Sequence, residues 1–562
     1  MIATASSTAS RSSGRAGALA TLLMLFLDLL WRATVGASGA PSLPETVVAA
    51  VARLTPVAIF GWATETFGSL AQNTLFATVL VGFVLAGYWA GQLVDTLTTA
   101  QKGESSRATL SYGVAAALFL VLVAGVFPLA REGMFALESQ FTLALLAQAF
   151  LFCIGWALAF NVLSPEAVVA LAADTASSEQ VSRRAAIQNV AAAGLAVGVA
   201  WLGWRLAKAP TTGDVAAQRQ AAADIAARAR EGAPELQAPV MAAESATPEP
   251  ILADANATTE SIFDALEAED KLTSVITPIA SFYHVSKNIA DPVVDVANWS
   301  LSIGGLVKNP RVYTLDELVK RSTTRNITTL SCISNELNGD LAGTAEWTGI
   351  PLRELLEDVG INPSTVDLVF RAADGYDDSI PFATAMSPST MLVTAMNGEP
   401  LPSDHGGPAR IIVPPIYGMK NVKWLEQIEA VDTDYKGYWE TRGWSDTAHY
   451  QIWGRIDTPA SGSEVQAGEV MVAGVAAAGN RGILRVEVSA DDGQSWADAE
   501  LEPSINPNFT WVRWAYPFQA TSGNVTLLMR ATDGEGTVAP MERRPPLPDG
   551  ATGWPDRLVR VA

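Results

Sequence analysis

Two residue types are nearly missing from this chain of 562 residues: cysteine occurs twice and histidine three times. Two cysteines cannot form a disulfide framework. Cys153 sits in the apolar run "FLFCIGWALAF" and Cys332 in the polar half, so a bridge between them is excluded as well. None of the histidines (His284, His405, His449) lies in a long apolar run, which rules out a bis-histidine haem inside a membrane, and no haem is expected. A zinc site needs about four ligands, and sulfur and imidazole are scarce here. Basic residues are few, 37 Lys and Arg against 58 Asp and Glu, for a net charge of −21 and a pI near 4.6. Neutralising phosphates takes clustered Lys and Arg, so nucleic acid is not a partner. Apolar residues are abundant, at 49 % with a mean hydropathy of +0.21. A chain this long exceeds one core, so the composition implies a membrane part joined to soluble units.

Five apolar stretches, at residues 17–37, 73–97, 108–130, 141–163 and 185–207, each approach the ~20 residues that cross a bilayer. A sixth, 45–68, carries Arg53, Pro56 and Glu65 and reads as an interfacial or re-entrant helix. Because further spans follow, the first stretch reads as an anchor rather than a cleaved signal peptide. With five spans, the tail bearing Arg11 and Arg15 shares one side with the Lys102/Arg107 and Arg183/Arg184 loops. The positive-inside rule makes that side cytoplasmic and puts the C-terminal half outside. "SRRAAIQ", 182–188, resembles a twin-arginine export signal; the competing reading is an ordinary basic loop. The expectation is a multi-pass cell-membrane protein with an extracytoplasmic catalytic domain. The spans would contact membrane lipid and either anchor the chain or face a quinone or a partner. Few ionisable groups interrupt them, so a transporter ranks last.

Residues 208–275, rich in Ala, Glu, Pro and Thr, read as a flexible linker. From 276 to 440 strands such as "WSLSIGGLV" and "ITTLSC" alternate with short helices, "TLDELVKR" capped by Thr314 and "PLRELLEDVG" stopped by Gly360; this is an α+β domain. From 441 to 562 short strands with Asp-Gly turns, and Trp496, Trp511 and Trp514 as core candidates, suggest an immunoglobulin-like β-sandwich. The fold class is therefore multi-domain: a transmembrane α-helical bundle, an α+β domain and a C-terminal sandwich.

Cys332 stands in a Ser/Asn/Gly-rich loop, "TLSCISNELNGD", directly after an apolar, β-branched run. A buried free thiol is the common fate of the residue type. A nucleophile would need a histidine base in a protease-like setting, which the surroundings lack. A single thiolate on a soft, high-valent metal held mainly by an organic ligand fits the counts best. "DHGGPARIIVPP" (404–415) and "YGMKNVKWLEQIE" (417–429) offer glycine turns with His405, Arg410, Lys420 and Lys423, which together form an anion cradle.

"LSCISNELNG", "DGYDDSIPFATAM", "MNGEPLPSDHGGPARIIVPPIYGMKNVKWLEQIE" and "DYKGYWE" resemble the sulfite oxidase family of molybdopterin enzymes, over roughly 276–562 and including its dimerisation domain. The resemblance implies a molybdenum–molybdopterin cofactor with Cys332 as the metal's thiolate and Tyr435 beside the metal's oxygen. It implies cofactor contacts from His284, Lys287, Asn288, Asn335, His405, Arg410, Lys420, Asn421 and Lys423, and weaker ones from Asp374, Tyr376 and Ser379. It also implies homodimerisation. Where the family usually has an arginine shortly after Cys-x-x-Asn, this chain has Glu336, Leu337 and Asn338, which disfavours a dianion such as sulfite. No b5-like haem domain is present, so electrons would pass to a separate quinone, cytochrome or similar partner. The expected activity is two-electron oxygen-atom transfer on a small substrate. The alternatives are reduction of methionine sulfoxide or another S-oxide, and a cofactor-free tethered binding module.

Overall fold

A computed structural model of the chain describes residues 2–34, 42–54, 69–100, 107–129, 142–163, 194–195, 198–199, 220–225, 227–228, 259–287, 291–292 and 294–562. The chain divides into two compact units, Met1–Thr212 with Asn288–Val293, and Gly213–Lys287 with Val294–Ala562.

The first unit is helical: α1 (Ile2–Thr34), α2 (Leu43–Leu54), α3 (Ser69–Ala100), α4 (Arg107–Val121, continued by a π-turn over Leu122–Val126) and α5 (Thr142–Leu163). Four stretches, Ser13–Arg32, Thr74–Ala100, Arg107–Val126 and Leu145–Leu163, are long and apolar enough to cross a membrane. They match four of the five expected spans. The fifth, 185–207, lies almost entirely outside the described residues, and the Arg-Arg stretch 182–188 wholly so. At 12 residues, α2 spans only about 18 Å, too little to cross. Its start is a reciprocal capping box: Glu45 N donates to Ser42 Oγ at 3.4 Å, and Ser42 N donates to the Glu45 carboxylate at 2.6 Å. Arg32 holds that carboxylate at 3.1 Å, and Asp28 accepts from Leu43 N at 3.1 Å. α1 and α3 meet backbone to backbone. A Cβ on Gly17 would lie 2.1 Å from the Gly87 carbonyl, and one on Gly91 2.4 Å from the Ser13 carbonyl. Small residues permit this approach where no hydrophobic force separates helix from lipid. Trp156 Nε1 donates to Gly17 O at 3.1 Å, which joins α5 to the pair, and Cys153 is buried in the same core.

The second unit opens with α6 (Thr259–Ala268). The α+β domain follows: β1 (Ser300–Gly305), β2 (Arg311–Thr314), α7 (Leu315–Arg321), β3 (Thr324–Ser331), β4 (Ala342–Pro351), α8 (Leu352–Val359), β5 (Asp367–Ala372), β6 (Asp377–Pro381), β7 (Met391–Met396), β8 (Glu399–Pro400), β9 (Arg410–Ile412) and β10 (Leu425–Val431). One sheet has the order β2-β1-β10-β5-β6; the other is β3-β4-β7-β8, with β9 also on β7. Within these two sheets, among the described residues, only β1 and β10 pair in parallel. As expected, Thr314 caps α7 through Glu317 N at 3.3 Å, and Gly360 ends α8 at φ +66°. Leu352, Leu355, Leu356 and Val359 put the apolar stripe of α8 into the core.

The C-terminal domain holds β11 (Trp453–Thr458), β12 (Glu464–Val465), β13 (Gly468–Ala477), β14 (Ile483–Ser489), β15 (Ala497–Asp498), β16 (Glu500–Leu501), β17 (Val512–Ala520), β18 (Gly523–Asp533) and β19 (Asp556–Val561). They form two sheets, β11-β13-β17-β16 and β12-β19-β18-β14-β15. Ile456, Val472 and Trp514 from one and Val486, Leu527 and Met529 from the other fill a shared core. Trp511 is buried too, but Trp496 is half-buried at the rim, edge-on to Trp554 with Arg530 over its face.

The expected flexible linker over 208–275 needs correction at two places. Ile225 packs into the core of the α+β domain, with Ala221 and Ala222 against it. On α6, Phe263 and Leu266 pack against Ala473 of β13 and Ala515 of β17. Alanine- and glutamate-rich composition masked the apolar spacing of "TESIFDALEA". Residues 229–258 lie outside the described ones.

Candidate active site

β3 delivers Cys332. Its polar loop is closed by Cys332 N donating to Leu341 O at 2.9 Å and Asn335 N donating to Cys332 O at 3.0 Å. Asn335 Oδ1 accepts from Leu341 N at 3.0 Å, so this amide braces the loop from within. Gly339 is required there: a Cβ would sit 2.4 Å from that oxygen. Asn338, at φ +59°, accepts from Ile456 N at 3.1 Å and donates to Asp556 O at 2.8 Å, which fixes the loop to the C-terminal domain. The half-buried thiol lies 3.0 Å from Ser334 Oγ. Burial pushes its pKa up, against a smaller lowering by hydrogen bonds from Ser334. Three phenols, Tyr283, Tyr417 and Tyr450, lie within electrostatic reach of Cys332. Tyr450 accepts from Ser331 N at 3.0 Å and donates to Thr329 O at 3.1 Å, which holds it at the end of β3. A small crevice of about 10 Å³, room for about one water, lies beside the loop and is lined by Ser331, Asn335, Glu336, Leu337, Tyr417 and Trp453.

The glycine turn before β9 builds the basic side. His405 is buried, with Nε2 3.1 Å from Ile279 O and Phe282 edge-on. Burial lowers its pKa to about 4, so the ring is neutral near pH 7. Arg410 opens β9 and is 5 % exposed. It donates to the carbonyls of His405 (2.8 Å) and Asn421 (2.9 Å) and lies 5.3 Å from the Trp347 ring. Among the described residues it has no carboxylate partner, and its Nε is buried without an acceptor. Burial lowers its pKa to about 10. A buried cation without a counter-ion is costly unless an anion arrives. Tyr283 links the two halves. It feels both Cys332 and Arg410, and its hydroxyl would be 2.6 Å from a Cβ on Gly418, so that turn must be glycine.

Several expected ligands have other work. Lys420 is fully buried between Asp378 (2.9 Å) and Glu440, with Asp446 at 3.7 Å. Its charge is already matched by these carboxylates. Tyr376 shares its one hydroxyl proton between Asp378 at 2.6 Å and Met419 O at 2.9 Å. The Asn421 amide accepts from Val413 N at 2.7 Å and donates to the carbonyls of Ile416 and Tyr417 at 3.3 and 3.0 Å, so it shapes the loop and leaves only its carbonyl for Arg410. Ser379 donates to Tyr435 O at 2.9 Å and to Asp367 at 3.3 Å. Asp374 accepts from Tyr376 N at 2.8 Å.

Lys423 donates to Asp404 O at 3.2 Å and lies over Trp424, close to Gly406 and His405. His284 is exposed beside Tyr283, and Lys287 lies 5.3 Å from the Tyr438 ring. Asn288 is outside the described residues. Tyr435 donates to Asp377 at 2.6 Å, with Arg371 5.7 Å from its ring; burial and Asp377 push its pKa up to about 12. The structure thus brings Cys332, Asn335, His405, Arg410, Asn421 and Lys423 into one neighbourhood. It adds Tyr283, Tyr417 and Tyr450, which sequence reasoning passed over.

A braced thiol, an uncompensated buried cation with an orphan donor, and a glycine turn that only a bare backbone can occupy fit a metal carried by an anionic organic ligand. Comparison with known proteins agrees. The family description "Oxidoreductase molybdopterin binding domain" matches residues 288–439, and "Mo-co oxidoreductase dimerisation domain" matches 445–545. The chain is 32 % identical over 317 residues to a mitochondrial sulfite oxidase of Drosophila melanogaster, covering 47 % of this chain and 55 % of that protein. It is 27 % identical over 328 residues to a sulfite oxidase of Arabidopsis thaliana, covering 48 % and 83 %. The chain thus spans little more than half the length of the Drosophila relative. Among solved structures, the sulfane dehydrogenase SoxCD of Paracoccus pantotrophus is 25 % identical, covering 51 % of this chain and 84 % of that one, with a TM-score of 0.44.

Proposed function

We propose, because this chain belongs to the sulfite oxidase family of molybdenum-dependent oxidoreductases, that it transfers an oxygen atom to or from a small uncharged substrate outside the cytoplasmic membrane. Its cofactor is molybdenum–molybdopterin. When bound, the molybdenum supplies the two-electron oxygen-atom chemistry. The rest falls to the chain's own residues. Cys332 gives up its proton and offers a thiolate from a loop that cannot swing. Arg410, backed by Lys423, neutralises the anionic organic part, and neutral His405 holds the 279–283 segment in place. Tyr435, fixed by Asp377, orients substrate through its hydroxyl.

The observation that carries this reading is the buried Arg410, which has no carboxylate partner among the described residues, with Tyr283 within electrostatic reach of both it and the Cys332 thiol. An uncharged substrate follows from the lining of the crevice. Glu336 adds a negative charge at its edge, and Leu337 and Trp453 form its walls. A sulfite dianion gains nothing there, whereas the apolar part of a thioether, S-oxide or N-oxide does. The same wall favours a second reading on this cofactor, reduction of methionine sulfoxide in exported proteins.

The apolar helices support a membrane anchor that would leave the catalytic domain outside, and the immunoglobulin-like C-terminal domain would pair two copies. Electrons would pass to a separate quinone or cytochrome. The test is elemental and pterin analysis of the purified chain, followed by turnover of sulfoxides with a reduced dye against sulfite with ferricyanide. Cys332→Ser should abolish activity, more than 100-fold, while leaving the fold intact. Undiminished turnover in that variant with molybdenum still bound would refute the assignment.

A further inference from the structure

The segment from α6 to Tyr283 runs as a strap from the C-terminal domain into the site. At its start, Glu267 pairs with the buried Arg513, which also holds Glu502 through two bonds. Midway, Thr273 N donates to Asp457 at 3.0 Å. Further on, Thr277 N donates to Thr344 O at 2.8 Å and Thr344 N donates to Thr277 Oγ1 at 3.1 Å, which adds the strap to the edge of β4. At its end lie Ile279 O on His405, Phe282 against His405 and Trp347, and Tyr283 within electrostatic reach of Cys332.

Arg455, on β11, is the point where this strap meets the thiol loop. Its NH2 donates to Thr273 Oγ1 at 2.6 Å and its NH1 to Gly339 O at 3.1 Å, while Nε is held by Asp457 at 2.6 Å. Arg455 and Asp457 are 13 % and 11 % exposed in their side chains. A guanidinium presents its donors in one rigid plane, so the three acceptors are fixed relative to one another, which a lysine ammonium cannot reproduce.

We propose that Arg455 is a positioning residue that locks the Cys332 loop to the 273–283 strap, and that this lock retains the molybdenum cofactor. Arg455 touches neither cofactor nor substrate; it acts through Gly339 on one side and Thr273 on the other. The retention half rests on the reading of Cys332 as the metal's ligand. The mechanical half concerns the polypeptide alone.

The test uses the full chain in detergent, as parent, Arg455→Gln, Arg455→Lys and Thr273→Val. Hydrogen exchange is read on protein freed of cofactor, and molybdenum content on protein as isolated. In Arg455→Gln, exchange at 273–283 and at 332–341 should rise together by tenfold or more, with β17 and β18 unchanged, and molybdenum per chain should fall several-fold. Arg455→Lys keeps the Asp457 pair but not the fork, so both readouts should fall between parent and Arg455→Gln. Thr273→Val should loosen the strap and leave 332–341 protected by the remaining Gly339 bond. If Arg455→Gln does not fold, the other two variants decide. Loosening of one segment without the other in an Arg455 variant overturns the proposal, as does full molybdenum content with both loosened. A parent without molybdenum would sink the functional reading, whereas the exchange data still decide whether the lock exists.

Discussion

Replacing Arg410 by methionine separates what the side chain does for the fold from what it does for the cofactor. Burial lowers the guanidinium to about 10, which corresponds to roughly 3 kcal/mol of unfavourable environment at about 1.4 kcal/mol per pH unit. Methionine has a similar reach, removes that cost and fills the space beside Trp347. Against this stand two lost bonds to the carbonyls of His405 and Asn421, worth roughly 1.5–3 kcal/mol each with a charged donor. A gain of about 3 against a loss of about 3–6 kcal/mol leaves the cofactor-free variant within about 3 kcal/mol of the parent. Cofactor binding has no such compensation. One unit charge near ~4 Å at an effective dielectric of ~20 contributes about 4 kcal/mol, or roughly a thousandfold in affinity. Urea unfolding of the cofactor-free protein measures the first quantity, and molybdenum per chain after extensive dialysis the second. Arg410→Met protein that keeps a full complement of molybdenum would show that the buried cation does not face the cofactor, and the site as drawn would be wrong.

His405 makes stability depend on pH. Its folded pKa of about 4 lies below the free value of 6.5. As pH falls through the interval between them, the unfolded chain takes a proton that the folded chain refuses, and stability of the cofactor-free protein should decline by up to about 3 kcal/mol. Urea midpoints between pH 7 and 4 should lose that component of slope in His405→Gln; an unchanged slope would assign it to other groups. Gly339→Ala puts a Cβ 2.4 Å from Asn335 Oδ1, breaking the loop's brace at a cost of about 1–3 kcal/mol with loss of molybdenum; wild-type stability and metal content together would contradict it. In the helical unit, a Cβ on Gly87 would lie 1.8 Å from Thr21 Oγ1, whereas one on Gly82 meets nothing within 4 Å. Gly87→Val should therefore lower the melting temperature in detergent by several degrees and Gly82→Val should not, and equal effects would mean that α1 and α3 do not pack as described.

What the sequence could reveal depended on how local each signal was. The loop that carries Cys332 and the turn that carries His405 and Arg410 were legible because a loop after a β-branched strand and a Gly-Gly turn before the next one are short-range patterns. The ion pairs of Lys420 were not legible, for the opposite reason. Its partners, Asp378 and Glu440, lie 42 residues before it and 20 after, and no local spacing shows that two carboxylates close on one ammonium. Asn421 and Ser379 were recognised as polar and conveniently placed, but a sequence does not show which amide or hydroxyl is consumed in bracing its own loop. Tyr283 stood inside the same six-residue segment that supplied His284 and Lys287. Without a helical or strand period there, nothing marked which side chain turns inward. In the helical unit, length and hydropathy were enough to mark four helices long and apolar enough to cross a membrane, because that is a demand on every residue of the segment.

The thiol of Cys332 has one more consequence, for the protein's life before it is loaded. Because burial holds the sulfur in its protonated form at neutral pH, it is a poor target for peroxide and for alkylating agents, which attack the thiolate. With Cys332 as the proposed ligand, a newly made chain can therefore wait for its metal without spoiling that sulfur, and loading itself should release a proton to the medium.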